Sequence, residues 1–287
     1  MADAEAVCGL DCLDGVEELL DHSFLRRVDT GNRAATFTIA QTLRDFGREQ
    51  LSAKEWLESA HTAHGRWVAD LVEIAWRDSL AEPIGAEERM LMRLDDALAA
   101  LDWARDRDPS LHLRLAGTIG LAVGERGARH QLEAELQLAL DRAPERGPHT
   151  ARALVNCAQL KFHRGDAHEA LRWLRRAKEL WLEEDEPREV ALTLMFIMSA
   201  ALAEDPVAAR AAAEEALDRA RASADNLLLD WATVWLAQVD IADGRVEEVE
   251  PLVSDALERA TEPVLGQWLR HLWADCALLR GDGPGAI

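Results

Sequence analysis

The sequence contains no tyrosine and few of the residues that form tight turns. Nine prolines and 17 glycines are spread over 287 residues. An all-β sandwich needs many more turn residues than this, and collagen-like or low-complexity chains are far richer in glycine and proline. Hydrophobic residues make up 48% of the chain, which is enough to fill the core of one large domain or two modest ones.

Long apolar runs and a secretory leader are also missing from the sequence. No stretch approaches the roughly 20 apolar residues that a membrane-spanning helix needs. The first residues, MADAEAVCGLD, have neither the basic nor the apolar region of a signal peptide. The four cysteines, Cys8, Cys12, Cys157 and Cys276, form no disulfide framework. We therefore expect a reduced, cytoplasmic protein with no membrane partner.

Positive charge is scarce relative to negative charge. The chain has 32 basic and 53 acidic residues, a formal net charge of −21. A surface this acidic repels the phosphate backbone of nucleic acids and the anionic face of a membrane. Direct binding to DNA or RNA is therefore not expected.

The first fifty residues predict a small α+β unit. Residues 13–20 place apolar side chains on one helical face, and DTGN at 29–32 is a turn-forming cluster. Ala35, Phe37 and Ile39 then alternate with threonines, which is typical of a half-buried strand. A second helix is expected from about Thr42 to Leu51. The predicted order is helix, hairpin, helix.

Two segments of this unit carry a family resemblance. The run LLDHSFLRR and the later ATFTIAQTLRDFGREQL resemble the wing and exit helix of a winged-helix domain in bacterial signal-transduction ATPases of the LuxR- and SARP-like type. The resemblance implies a regulator of transcription with a helical-repeat arm. The chain departs from the pattern because it contains no G-x-x-x-x-G-K-[ST] phosphate-binding loop and no helix-turn-helix after the repeats. It is then either a fragment of such a regulator or a stand-alone relative.

Beyond residue 88 the pattern is helical and recurs about every forty residues. Successive anchors, where a first helix would end, lie 38, 39, 40 and 37 positions apart. Small or apolar residues recur five, nine and twelve positions after each of the first four anchors. Glycine permits the positive φ that ends a helix at low cost, although one anchor is a glutamate. The anchors are Gly127, Gly165, Glu204, Gly244 and Gly281.

This pattern resembles the tetratricopeptide repeat, lengthened from its usual 34 residues. The resemblance implies an all-α fold, a right-handed solenoid of helix pairs with a concave groove lined by the first helix of each pair (helix A). A small α+β winged-helix-like remnant precedes it. We expect a partial winged-helix-like segment at 1–52, helical linker or capping helices at 53–110, and repeats at 111–287.

One helical stripe of the clearest repeat is polar, and its equivalents in later repeats are rich in Met and Trp. On the groove, such a stripe would bind a protein, a peptide or a small inducer, because Met adapts its shape and Trp offers a broad contact. In the core, the same residues would only fill space, and helical periodicity does not separate the two interpretations. The candidate residues are Arg114, Arg152, Asn156, Gln159, His163, Met195, Met198, Trp231, Trp235, Gln238, Trp268 and Asp275.

No catalytic residue, metal site or cofactor is predicted. The sequence has no G-x-S-x-G elbow and no H-E-x-x-H helix. His61 and His64 lie three apart and two cysteines lie four apart, but zinc needs four ligands with defined spacing. Ordinary surface histidines and free thiols explain both pairs.

Three hypotheses for function follow. The first is a non-enzymatic regulatory interaction or sensor module of a transcriptional regulator. The second is a free-standing adaptor or scaffold without a switch, and the third is an enzyme with its site in the groove. The final helix, around Trp268 to Leu279, is expected to expose apolar surface, so self-association through the C-terminal repeat is also expected.

Overall fold

The computed structural model describes residues 2–8, 12–28, 36–125, 129–142, 146–223 and 225–281. Over these residues the chain forms helices and one two-stranded antiparallel sheet. In chain order the elements are α1 (Ala2–Cys8), α2 (Leu13–Asp21), β1 (Leu25–Val28), β2 (Thr36–Ile39), α3 (Gln41–Ala53), α4 (Leu57–Asp78), α5 (Pro83–Met92), α6 (Leu94–Arg107), α7 (Pro109–Glu125), α8 (Arg129–Arg142), α9 (Pro148–His163), α10 (Ala167–Glu183), α11 (Pro187–Ala201), α12 (Pro206–Ser223), α13 (Asn226–Ala242), α14 (Val246–Arg259) and α15 (Pro263–Leu279).

The N-terminal unit is the predicted helix, hairpin and helix. Strands β1 and β2 pair antiparallel, with Leu25 opposite Ile39 and Val28 opposite Thr36. The predicted helix at 42–51 is α3, and the predicted turn at 29–32 and Ala35 lie outside the described residues. This unit is loosely packed, since no side chain of α3 is fully buried and Phe46 is 57% exposed. The two-stranded sheet is compatible with a winged-helix remnant but does not by itself show one.

Five long helices repeat at a nearly constant interval, which confirms the predicted helix pairs. Helices α7, α9, α11, α13 and α15 begin at residues 109, 148, 187, 226 and 263, spaced 39, 39, 39 and 37 residues apart. Four of the five begin with proline, which suits a first turn because that turn needs no N–H donor. Each of the first four packs against the helix that follows it and against the next helix of the set. We call the surface formed by these five helices the helix-A face.

The small residues at the predicted offsets form the seams between the helices. All twelve are at most 3% exposed, so the offsets identified core positions. Small and medium side chains there let the second helix of each pair approach its neighbours closely. The twelve are Leu132, Leu136, Ala139, Ala170, Leu174, Ala177, Ala209, Ala213, Ala216, Val249, Val253 and Ala256.

Three of the five anchors end helices in the left-handed conformation. Gly165, Gly244 and Gly281 have φ values of +85°, +77° and +85°. Glu204 does not adopt positive φ. The turn after α11 closes instead through the amide of Asp205, which donates to the carbonyl of Ala201 at 2.8 Å. A glutamate is tolerated at this anchor because its backbone does not need glycine, and Gly127 lies outside the described residues.

Helices α7 and α9 approach each other unusually closely, and two glycines allow it. A Cβ added at Gly117 would lie 3.2 Å from the backbone nitrogen of Ala153. At Gly120 it would lie 2.9 Å from Cγ of Asn156. The Asn156 amide donates to the Gly117 carbonyl at 2.5 Å, which closes the contact.

Helix α4 is the element that departs from a simple stack. Its apolar face buries Val68, Ala69, Val72 and Ala75 against α6 and α7. Its C-terminal end reaches the repeats, where the Arg188 guanidinium donates to the carbonyl of Arg77 at 2.8 Å. The chain then turns into α5, so the α4–α5 turn lies against the helix-A face.

The close approach of α7 and α9 predicts opposite effects for two glycine substitutions. Gly120→Ala should lower the free energy of unfolding by about 1–3 kcal/mol, because the new methyl group overpacks the buried Asn156 side chain. The matched change Gly47→Ala, in exposed α3 with nothing within 4 Å, should raise it by about 0.5–1 kcal/mol. Urea denaturation of both variants measures this, and equal stabilisation would show that the helices separate without cost.

Candidate functional site

The α4–α5 turn and the helix-A face border two adjoining pockets with shared wall residues, which we call the large lobe and the small lobe of the α4–α5 cavity. The large lobe has a volume of about 400 Å³ and is walled by the turn and by α11, α13 and α15. Its surface is mainly apolar and aromatic. The lining residues are Ser79, Leu80, Pro83, Leu192, Met195, Ser199, Trp231, Val234, Trp235, Gln238, Val264 and Trp268.

The small lobe has a volume of about 150 Å³ and shares Ser79, Leu80, Leu192 and Met195 with the large one. It lies deeper, between the end of α4 and helices α9, α10 and α11. Its wall combines aromatic rings with two charged side chains. The remaining lining residues are Trp76, Arg152, Val155, Trp181, Glu189, Thr193 and Phe196.

A buried ionic cluster fixes α4 beside this cavity. The Glu73 carboxylate on α4 accepts two hydrogen bonds from Arg114 on α7, at 3.0 and 2.6 Å. It accepts a third from Arg152 on α9 at 3.1 Å, and the His149 ring lies 3.4 Å away. The side chain of Glu73 is only 9% exposed. One carboxylate thus joins α4 to two successive helices of the helix-A face.

The charges around Glu73 determine its ionisation. Burial by itself raises the pKa of Glu73, but the hydrogen bond from Arg114 and the charges of Arg114, Arg152 and His149 outweigh it, so the pKa lies below the ordinary value of 4.5. The pKa of Arg114 is raised because its guanidinium donates to Glu73 and Asp70. Both partners are therefore charged at neutral pH.

Several buried N–H groups near the cavity have no acceptor. The indole Nε1 atoms of Trp76 and Trp181, and Nε of Arg152, belong to wall residues of the small lobe and make no hydrogen bond. The indole Nε1 of Trp231, in the wall of the large lobe, is in the same state. A buried donor without an acceptor costs about 1–3 kcal/mol, and these nitrogen atoms are packed inside the wall and are not exposed to the cavity.

The structure brings six of the predicted site residues to the cavity. Within the predicted stripe, the residues differ in how deeply they are buried. Trp235 is almost wholly buried and still lines the large lobe, whereas Met195 and Trp231 are half-buried. The six are Arg152, Met195, Trp231, Trp235, Gln238 and Trp268.

The other predicted residues do not line the cavity. Arg114 and Asn156 are held in contacts between α4, α7 and α9, and Met198 is fully buried in the core. Gln159 is half-buried, and His163 is exposed at the end of α9. Asp275 lies 3.7 Å from His271 on α15. These positions therefore lie outside the α4–α5 cavity, and their role in binding a partner stays a prediction.

The residues of α4 and its turn that line the cavity, and Glu73 beside it, were missed by sequence reasoning. Glu73 sits on the same helical face as the buried Val72 and Trp76. A carboxylate within an apolar stripe was a usable signal, since a charge is rarely buried without a partner.

The thiols and histidines offer no reactive centre among the described residues. Burial raises the pKa of the Cys157 thiol to about 12, so it is protonated and inert at neutral pH. The His61 ring stacks on Trp103 at 5.6 Å, and His64 lies 3.8 Å from Asp96. Within the described ranges, no three His, Cys, Asp or Glu side chains gather as metal ligands.

The architecture matches known helical-repeat structures. The nearly identical TPR-like repeats assigned to a kinesin light chain of Podosopora anserina superpose with a TM-score of 0.52 at 14% identity, over 63% of this chain and 92% of that one. BtubC (BKLC) from P. vanneervenii superposes with a TM-score of 0.52 at 19% identity, over 69% and 89%. The fold is that of tetratricopeptide-like repeat proteins.

A third similar structure extends over nearly the whole chain. It is a signal transduction ATPase with numerous domains that carries a tetratricopeptide repeat sensor, from Pyrococcus horikoshii. The TM-score is 0.54 at 12% identity, over 97% of this chain. The match spans half the length of that protein, and at these identities the likeness shows the fold alone. No protein-family model matches the sequence, and no curated protein matches it.

No helix in the described part of the chain combines the length and apolarity that a membrane crossing requires.

The buried carboxylate predicts a pH-dependent stability. Glu73→Gln should lower the free energy of unfolding at pH 7 by about 3 kcal/mol, because it leaves the buried Arg152 guanidinium without a counter-charge and Arg114 with Asp70 alone. The pKa of Glu73 is lowered in the folded state, so its contribution is present above the ordinary value of 4.5 and is lost as the pH falls below it. The difference between wild type and variant should therefore shrink below about pH 4.

Chemical denaturation at several pH values measures this difference. Glu183→Gln is the control, since Glu183 pairs with Arg146 at the surface with both side chains at least half exposed. It should change stability by no more than about 1 kcal/mol. A Glu73→Gln variant as stable as this control would show that the cluster does not hold α4 in place.

Proposed function

We propose that this chain is a non-enzymatic regulatory sensor module of a bacterial transcriptional regulator. A protein, a peptide or a small inducer would bind at the helix-A face. The observation that carries this proposal is the α4–α5 cavity, because its wall joins the repeats to the helix that leads back to the N-terminal unit. Tetratricopeptide-like repeats commonly present extended binding surfaces, which supports an interaction role.

Helix α4 supplies a mechanical connection between the cavity and the N-terminal unit. It has 22 residues, which corresponds to about 33 Å of helix. Its first turns contact α3 and its last turn carries Trp76 in the cavity wall. An occupant that shifts Trp76 or the turn beyond it would therefore move the base of the helix–hairpin–helix unit. Such a response needs only that the occupant prefer one of two arrangements of α4.

The regulatory context rests on two separate resemblances. The segments LLDHSFLRR and ATFTIAQTLRDFGREQL resemble the winged-helix region of LuxR- and SARP-like regulators, and one similar structure is an ATPase with a tetratricopeptide repeat sensor. We propose that the module acts through other parts of such a regulator. Direct contact with DNA is not proposed, because the chain carries a net charge of −21.

The two competing hypotheses make different demands on the cavity. A scaffold without a switch would bind its partner equally well whether the cavity is open or filled. An enzyme would need reactive groups in the cavity wall. The two charged side chains of that wall are already in ion pairs. Arg152 lies 3.1 Å from Glu73, and Glu189 lies 3.0 Å from Arg188.

Filling the cavity tests the coupling without knowledge of the ligand. Ser199→Phe places a ring in the wall of the large lobe and should loosen the α4–α5 turn, because the added volume competes with Leu80 for the same space. Hydrogen–deuterium exchange should increase in the α4–α5 turn, in α3 and in the hairpin, and should stay unchanged in α8.

The control is Ala211→Phe, which adds a ring on the exposed surface of α12. It should leave exchange in the N-terminal unit unaltered. The proposal fails if Ser199→Phe changes exchange only within α11 and its direct neighbours in the repeats. Thermal melting of both variants separates a local effect from general destabilisation.

We also propose that the chain associates with itself through α14 and α15. Exposed apolar side chains concentrate on these two helices, and surfaces of this kind commonly mark protein interfaces. Each is at least 40% exposed: Leu252, Trp268, Trp273, Leu278 and Leu279.

Sedimentation equilibrium tests the association. Wild type should show a concentration-dependent increase in mass, and Leu278→Asp should remove it, because a buried carboxylate at the interface would lack a partner. Val207→Asp is the matched control on α12, where Val207 is 81% exposed, and it should associate like wild type. A wild-type chain that stays monomeric at every concentration would contradict this proposal.

A further inference from the structure

We propose that the large lobe of the α4–α5 cavity binds an uncharged small molecule with an apolar body and one hydroxyl group. This inference rests on the proposed sensor function, because it names the class of ligand for the same site. Two observations carry it. No charged side chain is found among the described residues that line the large lobe, and two polar side chains of its wall have no hydrogen-bond partner within the described part of the chain.

The absence of charge from this wall excludes ionic ligands. Charged residues make up 30% of the chain, yet those that line the cavity, Arg152 and Glu189, border the small lobe. Each is already in an ion pair, Arg152 with Glu73 at 3.1 Å and Glu189 with Arg188 at 3.0 Å. A charged ligand in the large lobe would therefore lose its water without gaining a counter-charge, which is unfavourable.

Aromatic and aliphatic side chains define the apolar body of the ligand. Trp231 and Trp235 on α13, Trp268 on α15, and Leu192 and Met195 on α11 line the large lobe. Burial of an alkyl or ring body against them releases water from both surfaces, and methionine adapts to its shape. The volume of about 400 Å³ lies within the usual range of small-molecule sites.

Ser199 on α11 and Gln238 on α13 define the polar group of the ligand. Both are half-buried, and neither side chain makes a hydrogen bond to another described residue. Unlike the unmatched indole N–H groups, their polar atoms are not sealed inside the wall. The remaining polar side chain of this wall, Ser79, already donates its hydroxyl to the carbonyl of Trp76 at 2.6 Å. Serine and glutamine side chains can both donate and accept, so a ligand hydroxyl can pair with either of the two unbonded side chains.

The position of the α4–α5 turn favours a compact ligand over an extended peptide. Ser79, Leu80 and Pro83 border the large lobe together with residues of α11, α13 and α15, so they interrupt the surface along which a peptide would lie. A small molecule needs no continuous channel. It would contact the turn and the repeats at the same time.

Four probes that share the naphthalene ring test the class of ligand: naphthalene, 2-naphthol, 2-naphthoate and 2-naphthylmethylammonium. At pH 7 the first two are uncharged, the third is an anion and the fourth is a cation. Ligand-observed NMR titration gives a dissociation constant for each. 2-Naphthol should bind about tenfold more tightly than either charged probe, and about fivefold more tightly than naphthalene, the gain expected from one neutral hydrogen bond. The net charge of −21 would by itself favour the cation, so weak binding of both charged probes is not a general electrostatic effect.

Removing the two polar side chains should remove the preference for the hydroxyl. The double variant Ser199→Ala, Gln238→Leu should still bind naphthalene, and its dissociation constants for naphthalene and 2-naphthol should lie within about twofold of each other. The matched control is Gln137→Leu on α8, an exposed glutamine that bonds Asp141 and should keep the wild-type preference. If the double variant does not fold, Gln238→Leu alone provides the same comparison.

The outcomes separate this proposal from the proposed function. Binding of either charged probe as tight as that of 2-naphthol, or an undiminished preference for the hydroxyl in the double variant, would overturn the ligand class. Failure of all four probes to bind, as expected if the lobe accepts only a protein partner, would overturn it too. In each of these cases, coupled exchange in Ser199→Phe would still support the sensor function. The expected order of probes without that coupling would reject the sensor function and leave the ligand class standing.

Discussion

The buried carboxylate of Glu73 determines how α4 packs against the helix-A face of the repeats. Glu73 is bound by guanidinium groups from α7 and α9, so α4 cannot leave the helix-A face without exposing or stranding a charge. The position of α4 then places Trp76 and the α4–α5 turn over α11 and α13. The cavity exists because of that placement, since the repeats alone would present an open surface there.

The repeat architecture was predictable because its cause is local and recurrent. Small side chains such as Ala170 and Ala209 lie at the same offset in successive units, and each must be buried for its helix pair to close. The N-terminal hairpin was predictable for a similar reason, because Phe37 and Ile39 alternate with threonines while the flanking segments have helical periods. Both signals lie within a few tens of residues.

The site was only partly predictable because it depends on contacts between distant residues. Met195 and Met198 lie one helical turn apart on α11, yet one lines the cavity and the other is buried in the core. Helical periodicity places both methionines on related faces of α11, but it does not determine how deeply each side chain is buried. Glu73 meets Arg152 across 79 positions of sequence, and the pattern of a single helix does not reveal such a partner. Whether a groove is covered therefore depends on contacts between residues distant in sequence, whereas the helix pairs follow from local sequence patterns.

The central claim is that α4 and its turn rest on the helix-A face in one defined position. Double electron–electron resonance between spin labels at Ile84 on α5 and Val207 on α12 measures this directly, because both side chains are exposed. Replacing the accessible thiols Cys8 and Cys12 with serine leaves two buried cysteines that resist labelling. The account predicts a single narrow distance distribution. A broad distribution in the unliganded protein would show that α4 moves freely over the repeats, and the cavity would then not be a stable feature of the fold.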